Sequence, residues 1–260
     1  MPLPAQLSDA VHRFAALPSI LVATDFDGAL APLVLDPMES RPVQGGMESL
    51  VALAALPGTV VALVSGRALE PLRQLTGAED PLLLIGSHGA EESWLPDGLA
   101  LDDTQRALLH DLDAELVDLA ADHPGTRVEV KPAGRVVHAR GLAPEASTAA
   151  LDAATALGAR HTGVVLTPGK EVVELAVAHV GKGVALVRLA EELGVDAVFY
   201  AGDDTTDEQA FVALAEDHGH AAHRLTVRVG EGGTAAQHRV ADEHELVEVF
   251  QAMLAARGGR

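Results

Sequence analysis

The chain has 260 residues, a formal net charge of −20 and no cysteine. Its length suits one large domain or two smaller ones, and its 48% of hydrophobic residues supply a core, although only 3% are aromatic. The charge argues against nucleic acid, because a basic surface provides most of that affinity. The lack of cysteine excludes disulfides, thiolate metal sites and a cysteine nucleophile.

No apolar run approaches the roughly 20 residues that span a bilayer, and no signal peptide is evident at the N-terminus. We therefore expect a cytoplasmic monomer with neither membrane nor nucleic-acid partners. Only three of the 18 basic residues are lysines, namely Lys131, Lys170 and Lys182. So acidic a protein repels an anionic substrate, which would need a local cluster of cations.

The first part of the chain alternates between patterns typical of strands and of helices. Apolar runs of strand length lie at 20–24, 59–64 and 82–85, with helical patterns between them at 46–55 and 68–74. Near-continuous apolar strands separated by helices indicate a parallel sheet that is covered on both faces. We therefore predict an α/β fold with a Rossmann-like parallel sheet.

The middle of the chain follows a different pattern, helix–hairpin–helix–hairpin. These segments are predicted, in chain order, at 104–121, 128–140, 144–157 and 164–176. The second hairpin is expected to turn at Pro168 and Gly169. We predict that residues 104–178 form an α+β domain of αββαββ type, inserted between two parts of the core domain at 1–103 and 179–260.

After residue 181 the strand and helix alternation resumes. Helical patterns lie at 184–193, 207–215 and 244–256, and strand patterns lie at 197–201 and 225–229. This part therefore completes the parallel sheet that the first part begins.

Three strands of the predicted sheet end in polar residues. The groups are Asp25-Phe26-Asp27-Gly28, Ser65-Gly66-Arg67 and Gly202-Asp203-Asp204-Thr205-Thr206-Asp207. Ligands of open α/β sheets bind outside the carboxyl ends of the strands, so these groups are expected to converge on one crevice.

The residue types at these strand ends suit phosphoryl transfer. Asp25 would attack phosphorus and form an aspartyl-phosphate, and Asp27 would protonate the leaving alcohol and then deprotonate the hydrolytic water. Ser65 and Lys182 would bind the phosphoryl oxygens and stabilise the charge of the transition state.

The aspartates also predict a Mg²⁺ site. Two residues of strand span roughly 6.6 Å, whereas Mg²⁺ lies about 2.1 Å from its oxygen ligands, so Asp25 and Asp27 do not easily share an ion through both side chains. We expect the Asp25 carboxylate and the Asp27 backbone carbonyl as ligands, which leaves the Asp27 side chain to move protons. Asp203 would complete the site, and Asp204 and Asp207 would be further ligands or would orient the ligands.

Each motif also has a plainer interpretation. The first group could be a strand that runs into a turn, although the position of Gly28 excludes an EF-hand loop. The Gly202 group could be a turn followed by a helix N-cap, and Ser65 could be an N-cap as well. Lys182 could be a solvated lysine that precedes a helix.

Taken in their order, these motifs resemble those of the haloacid dehalogenase-type phosphatases. Within that superfamily, residues 64–67, 86–91 and 200–211 resemble the trehalose-6-phosphate phosphatase family, and residues 128–131, 138–140 and 169–174 resemble the sugar-binding segments of its cap domain. The resemblance extends from about residue 20 to residue 250.

The resemblance implies a Mg²⁺-dependent phosphatase that acts on a small sugar phosphate, trehalose 6-phosphate. It implies sugar contacts from the inserted domain by Lys131, Arg140, Lys170 and Glu174. It also implies substrate contacts from the core domain by Gly28, Gly66, Arg67 and His88.

The chain departs from the family pattern at a few positions. Ala29 replaces the usual threonine, Leu175-Ala176 replace a basic residue and a proline, and no aromatic residue separates His138 from Arg140. Two alternatives therefore stay open. One is a capped phosphatase for another sugar phosphate, such as a sucrose or glucosylglycerol phosphate. The other is a non-catalytic regulatory protein that binds a sugar phosphate, which Ala29 favours.

Overall fold

A computed structural model describes residues 3–95, 98–169, 171–178, 181–217, 219 and 223–259. The chain divides into two compact units, Met1–Gly98 with Gly181–Arg260, and Leu99–Val180. We call them the core unit and the inserted unit. None of the described helices is both long and apolar enough to cross a membrane.

Eight helices and eleven strands make up the described fold. The helices are α1 (Ala5–Ala15), α2 (Gly46–Ala54), α3 (Leu69–Thr76), α4 (Asp103–Asp122), α5 (Pro144–Ala159), α6 (Lys182–Leu193), α7 (Thr205–Glu216) and α8 (Glu243–Gly258). The strands are β1 (Ile20–Thr24), β2 (Thr59–Val64), β3 (Leu83–Gly86), β4 (Glu91–Glu92), β5 (Arg127–Lys131), β6 (Gly134–His138), β7 (Val165–Gly169), β8 (Val172–Ala176), β9 (Ala197–Gly202), β10 (His223–Val229) and β11 (His238–Val240). Single 3₁₀ turns lie at Pro37–Glu39 and Ser87–Gly89.

The core unit is built on a seven-stranded sheet in the order β11-β10-β9-β1-β2-β3-β4. Every pairing is parallel except that of β3 with β4. Side chains of β1 alternate between two buried clusters, so Ile20 and Val22 pack with α1, α2 and α8, whereas Leu21 and Ala23 pack with α6 and α7. The predicted parallel sheet with both faces covered is confirmed.

Helix α1 and the short strands β4 and β11 were not predicted. Helix α1 carried a readable signal, because its buried Leu7, Val11 and Phe14 have the i, i+4, i+7 spacing of one helix face. Strands of two and three residues carry no periodicity that a sequence pattern can reveal.

The inserted unit has a four-stranded antiparallel sheet in the order β5-β6-β8-β7, together with α4 and α5. The predicted αββαββ pattern is confirmed. The predicted turn at Pro168 and Gly169 is wrong, because both residues belong to β7 and pair with Val173 and Val172. Strand β7 lies at the sheet edge, where a proline costs no ladder hydrogen bond.

A buried arginine at the end of α8 ties three parts of the core unit together. Arg257 is only 8% exposed, and its guanidinium donates hydrogen bonds to the Thr59 hydroxyl and to five backbone carbonyls. Those carbonyls belong to Ala15, Leu17, Pro18, Pro57 and Gly58. The segments before β1 and β2 are therefore joined to the C-terminal helix.

We expect Arg257→Leu to lower the free energy of unfolding by about 3 kcal/mol, because it leaves several buried carbonyls without a donor. Urea unfolding followed by circular dichroism measures the change. Arg73→Leu, at an exposed position on α3, is the matched control and should change stability by less than about 0.5 kcal/mol. Equal effects of the two substitutions would contradict the prediction.

Candidate active site

The polar strand ends of the core unit converge at one edge of the sheet. Thr24, at the end of β1, pairs with Leu63 of β2 and Ala201 of β9, so the residues that follow these strands lie side by side. They line a cleft of about 460 Å³. Its walls are Asp25, Asp27, Leu33, Val34, Pro37, Ser65, Gly66, Arg67, His88, Lys182, Asp203 and Asp204.

Asp25 is held on several sides. Its backbone N–H donates to the Ala201 carbonyl at 2.8 Å, and its Oδ1 accepts from the Phe26 N–H at 2.7 Å. Its Oδ2 lies 2.8 Å from the Lys182 Nζ, and both side chains are almost fully buried. The lysine is therefore a fixed counter-charge to Asp25, and the interpretation of Lys182 as a solvated residue is wrong.

Lys182 also contacts Asp207, with 2.8 Å between Nζ and Oδ1. Burial lowers the pKa of Lys182, but the Asp25 and Asp207 carboxylates outweigh that effect and hold the pKa above its usual value. Burial also raises the pKa of Asp25, an effect that Lys182 opposes and Asp207 reinforces. Lys182 thus stays cationic between two carboxylates.

Asp207 is fully buried, and both of its oxygens are engaged. Oδ1 accepts from Lys182 and from the Tyr200 hydroxyl at 2.6 Å, and Oδ2 accepts from the backbone N–H groups of Asp203 and Asp204 at 2.9 and 3.0 Å. A Cβ atom on Gly202 would lie 2.2 Å from the Asp207 Cγ, so glycine is required there. Asp207 therefore shapes the loop that presents Asp203.

Tyr200 was not assigned a role from the sequence. It is the chain's single tyrosine and lies three residues before Asp203. This position close to a predicted metal ligand could have indicated a role in the site. Burial and the nearby Asp207 and Asp25 carboxylates raise its pKa well above the usual value. The hydroxyl therefore stays protonated and acts as a donor to Asp207.

Asp204 is the N-cap of α7. Its Oδ1 accepts from the Thr206 N–H and hydroxyl, each at 2.7 Å, and from the Asp207 N–H at 2.9 Å. Burial opposes ionisation, but these hydrogen bonds and Lys182 hold the pKa of Asp204 below its usual range. The N-cap interpretation of this loop is confirmed for Asp204, which still lines the cleft.

Asp203 is the carboxylate best suited to receive a cation. Its Oδ1 is buried and has no hydrogen-bond partner among the described residues. Burial, with the neighbouring Asp207 and Asp204, raises its pKa to about 6. Gly28 has a φ of +79°, and a Cβ atom there would lie 2.2 Å from the Asp203 Oδ2, so glycine is needed for this approach.

Oxygens of Asp25, Asp203 and Asp207 lie within 4.8 Å of one another. Carboxylate oxygens are the ligands that Mg²⁺ prefers, and the Asp203 Oδ1, which has no partner among the described residues, is available to bind a cation. Burial raises the pKa of Asp25 and of Asp203, and a divalent cation among these oxygens would lower both pKa values again. The residues present therefore fit a Mg²⁺ ion.

Asp27 is directed to a different partner. Its oxygens accept from the Arg67 Nε at 2.5 Å and Nη2 at 2.7 Å, and Ser40 adds a hydroxyl contact at 3.2 Å. The Arg67 guanidinium also lies over the Phe26 ring, 5.5 Å from its centre. Arg67 was predicted to contact the substrate, and its bidentate contact with Asp27 was not predicted.

Ser65 and His88 complete the cleft wall. The Ser65 Oγ accepts from the Arg67 N–H at 3.1 Å, but α3 begins only at Leu69 with Ala68 as its N-cap, so Ser65 is not the helix cap. A Cβ atom on Gly66 would lie 2.5 Å from the His88 Cε1. The glycine therefore lets the imidazole ring approach the backbone.

The inserted unit holds the predicted sugar-binding residues. Lys131 and Glu174, on β5 and β8, form an ion pair with 3.0 Å between Nζ and Oε1. Arg140 is largely exposed, and its Nε lies 3.7 Å from the Glu171 Oε2. Lys170 lies outside the described residues.

A parallel sheet that ends in Asp25 after one strand and in Asp203 after another, with a buried lysine between their loops, defines the haloacid dehalogenase-like class of phosphatases. A sequence profile described as trehalose-phosphatase matches residues 23–244. The chain belongs to the trehalose-phosphatase family.

Similar proteins agree with this assignment. The bifunctional trehalose-6-phosphate synthase/phosphatase of Thermoproteus tenax is 35% identical over 248 residues, which cover 92% of this chain and 32% of that protein. The trehalose-phosphate phosphatase of Mycobacterium avium is 37% identical over 200 residues, covering 73% of this chain and 50% of that protein. The chain thus spans a third to a half of the length of these relatives.

The fold has a solved counterpart as well. A crystal form of trehalose-6-phosphate phosphatase from Aspergillus fumigatus superposes with a TM-score of 0.74, at 24% identity and over 97% of both chains. This likeness shows the fold that the two proteins share.

Proposed function

We propose that the chain hydrolyses trehalose 6-phosphate to trehalose and phosphate, with Mg²⁺ as cofactor and an aspartyl-phosphate on Asp25 as intermediate. The observation that carries the proposal is the buried cluster in which Asp25 faces Lys182 and lies beside the unpartnered Asp203 oxygen. The choice of trehalose 6-phosphate as the substrate rests on family membership and on the names of the relatives.

In this mechanism an Asp25 oxygen attacks phosphorus, and a second attack by water releases phosphate. Lys182 holds a positive charge against the nucleophile and the phosphoryl oxygens, and Ser65 donates its hydroxyl to one of those oxygens. A bound Mg²⁺, held by Asp25, Asp203 and the Asp27 carbonyl and oriented through Asp207, would neutralise the phosphoryl charge.

Asp27 would supply the leaving alcohol with a proton and then take one from the hydrolytic water. Arg67 fixes the Asp27 carboxylate through both oxygens, so one of these hydrogen bonds must open for the proton transfer. Arg67 would then contact the phosphate with the donor that is released. This contact is the role in substrate binding that we propose for Arg67.

The sugar contacts are proposed for Lys131, Arg140, Lys170 and Glu174, with His88 on the core side. The Lys131–Glu174 ion pair provides a donor and an acceptor on one sheet, a combination that suits sugar hydroxyls. The cytoplasmic location and the monomeric state stay predictions.

Phosphate release from a panel of sugar phosphates tests the function. We expect release from trehalose 6-phosphate and little from sucrose 6-phosphate or glucosylglycerol phosphate. Release from one of the others alone would keep the chemistry and reject the sugar assignment. Tight binding without release would favour the non-catalytic alternative. Ala29, the residue that suggested this alternative, is fully buried among apolar side chains.

Removal of divalent cations should stop this reaction. After treatment with EDTA we expect phosphate release to fall by about 100-fold or more, and added Mg²⁺ should restore it, because three clustered carboxylates otherwise repel the substrate. Ca²⁺, with metal–oxygen distances of about 2.3–2.6 Å, is the matched control and should restore far less. Full activity in EDTA would reject the metal site.

A further inference from the structure

A second cleft of the core unit lies away from the candidate active site. It has a volume of about 480 Å³ and is lined by residues of α1, β10 and β11 and their flanking segments. The lining residues are Ala10, Arg13, Phe14, Leu17, His223, Arg224, Leu225, Gln237 and His238.

The two clefts lie at opposite edges of the sheet. His223 and Arg224 begin β10, and His238 begins β11, whereas the active-site residues follow the ends of strands that run parallel to these. A strand of seven residues, such as β10, spans about 20 Å. None of the described residues lines both clefts.

The lining of the second cleft is positively charged, whereas the protein as a whole is negatively charged. Acidic residues outnumber lysine and arginine in the chain by 38 to 18, yet the nine described lining residues include two arginines, two histidines and no carboxylate. Within the described part of the chain, the Arg13 and Arg224 side chains form no ion pair or hydrogen bond. Two guanidinium groups in one concave site, with no ion-pair partner among the described residues, favour an anion.

The two arginines carry the positive charge of the cleft. Burial, reinforced by the Arg13 guanidinium, lowers the pKa of His238, so this imidazole is neutral at neutral pH. Gln237 uses its side-chain carbonyl to accept from the Thr226 N–H. Its amide nitrogen is thus a further donor at the cleft wall.

The floor of the cleft is apolar. Phe14 and Leu225 are almost fully buried beneath it, and Ala10 and Leu17 extend the same surface. We propose that this cleft binds a small organic anion, whose phosphate, carboxylate or sulfonate group contacts Arg13 and Arg224 and whose apolar body lies on Phe14, Leu17 and Leu225. This inference does not depend on the proposed phosphatase activity.

Fluorescence titration with anilinonaphthalene sulfonate, an aromatic anion, tests the proposal. We expect saturable binding to the intact chain, weakened at least about tenfold in the double variant Arg13→Gln/Arg224→Gln, because each guanidinium contributes a charge-assisted contact. Phenylnaphthylamine has the same rings without the sulfonate and should bind far more weakly.

The double variant Arg73→Gln/Arg127→Gln is the matched control, since it removes two exposed arginines elsewhere and reaches the same net charge. It should bind the sulfonate as the unmodified chain does. Equal weakening in both double variants, or equally tight binding of the neutral probe, would overturn the proposal. Unchanged far-ultraviolet circular dichroism verifies folding, and the single variant Arg13→Gln, at an exposed position, repeats the test if the double variant is unstable.

Discussion

Replacement of Asp25 by asparagine is expected to reduce phosphate release on the order of 10⁴-fold or more, because the substitution removes the proposed nucleophile. Asparagine keeps the shape of the side chain, and its Oδ1 can still accept from the Phe26 N–H. Lys182 retains Asp207 as a partner. The loss should therefore appear in kcat, with the secondary structure intact by circular dichroism.

Asp27→Asn is the informative comparison, because Asp27 would move protons without forming the covalent intermediate. We expect a loss of 10²- to 10⁴-fold for this variant. Acid quenching of the reaction should trap phosphate on the Asp27→Asn protein and none on the Asp25→Asn protein. Phosphate trapped on the Asp25→Asn protein, or more than a few per cent of the activity retained by it, would reject Asp25 as the nucleophile.

Lys182→Met should have the second largest effect, because it affects activity and stability together. Methionine fills much of the same volume but leaves the buried Asp25 and Asp207 carboxylates facing each other without a cation. We expect a loss of about 3 kcal/mol in the free energy of unfolding without metal, and a fall in kcat of at least about 10³-fold. Urea unfolding and phosphate release measure the two effects.

Tyr200→Phe is the matched control for that substitution. It removes another donor to the same Asp207 oxygen, but a neutral one, and leaves the ion pairs in place. We expect a loss of about 1 kcal/mol in stability and a much smaller change in kcat. Mg²⁺ should restore part of the stability of the Lys182→Met protein, because the ion replaces the missing charge among the carboxylates. Equal losses for the two variants would show that Lys182 acts only as a structural donor.

The acidic site and the cationic cleft illustrate how far local charge can depart from net charge. In the candidate active site one buried lysine is set against three carboxylates whose oxygens cluster within 4.8 Å, an arrangement suited to a metal ion. In the second cleft two arginines lie without an acidic partner among the lining residues, in a chain with a net charge of −20. The active site forms where the carboxyl ends of parallel strands meet, and the second cleft forms where residues of α1 lie beside the starts of β10 and β11.

Much of the fold was predictable because it depends on short-range patterns. Strands β1 and β2 were predicted with their observed bounds. Apolar runs of four or five residues, each with one threonine at an end, are typical of a buried parallel strand when they lie between helical patterns. The polar residues after Thr24, Val64 and Gly202 were predicted to meet because parallel strands bring their carboxyl ends to one edge.

The partners of the functional side chains required the tertiary structure. Arg67 reaches Asp27 across 40 residues of sequence, Lys182 reaches Asp207 across 25, and Arg257 reaches Ala15 across 242. Periodicity reveals which face of a strand or helix a residue occupies, but not which distant side chain lies opposite. Residue types and their spacing along each strand thus predicted the parallel sheet and the edge of that sheet at which the active site was expected. Packing between segments far apart in the chain decided that Asp207 orients the Asp203 loop, that Arg67 holds Asp27 and that Arg13 and Arg224 share a cleft.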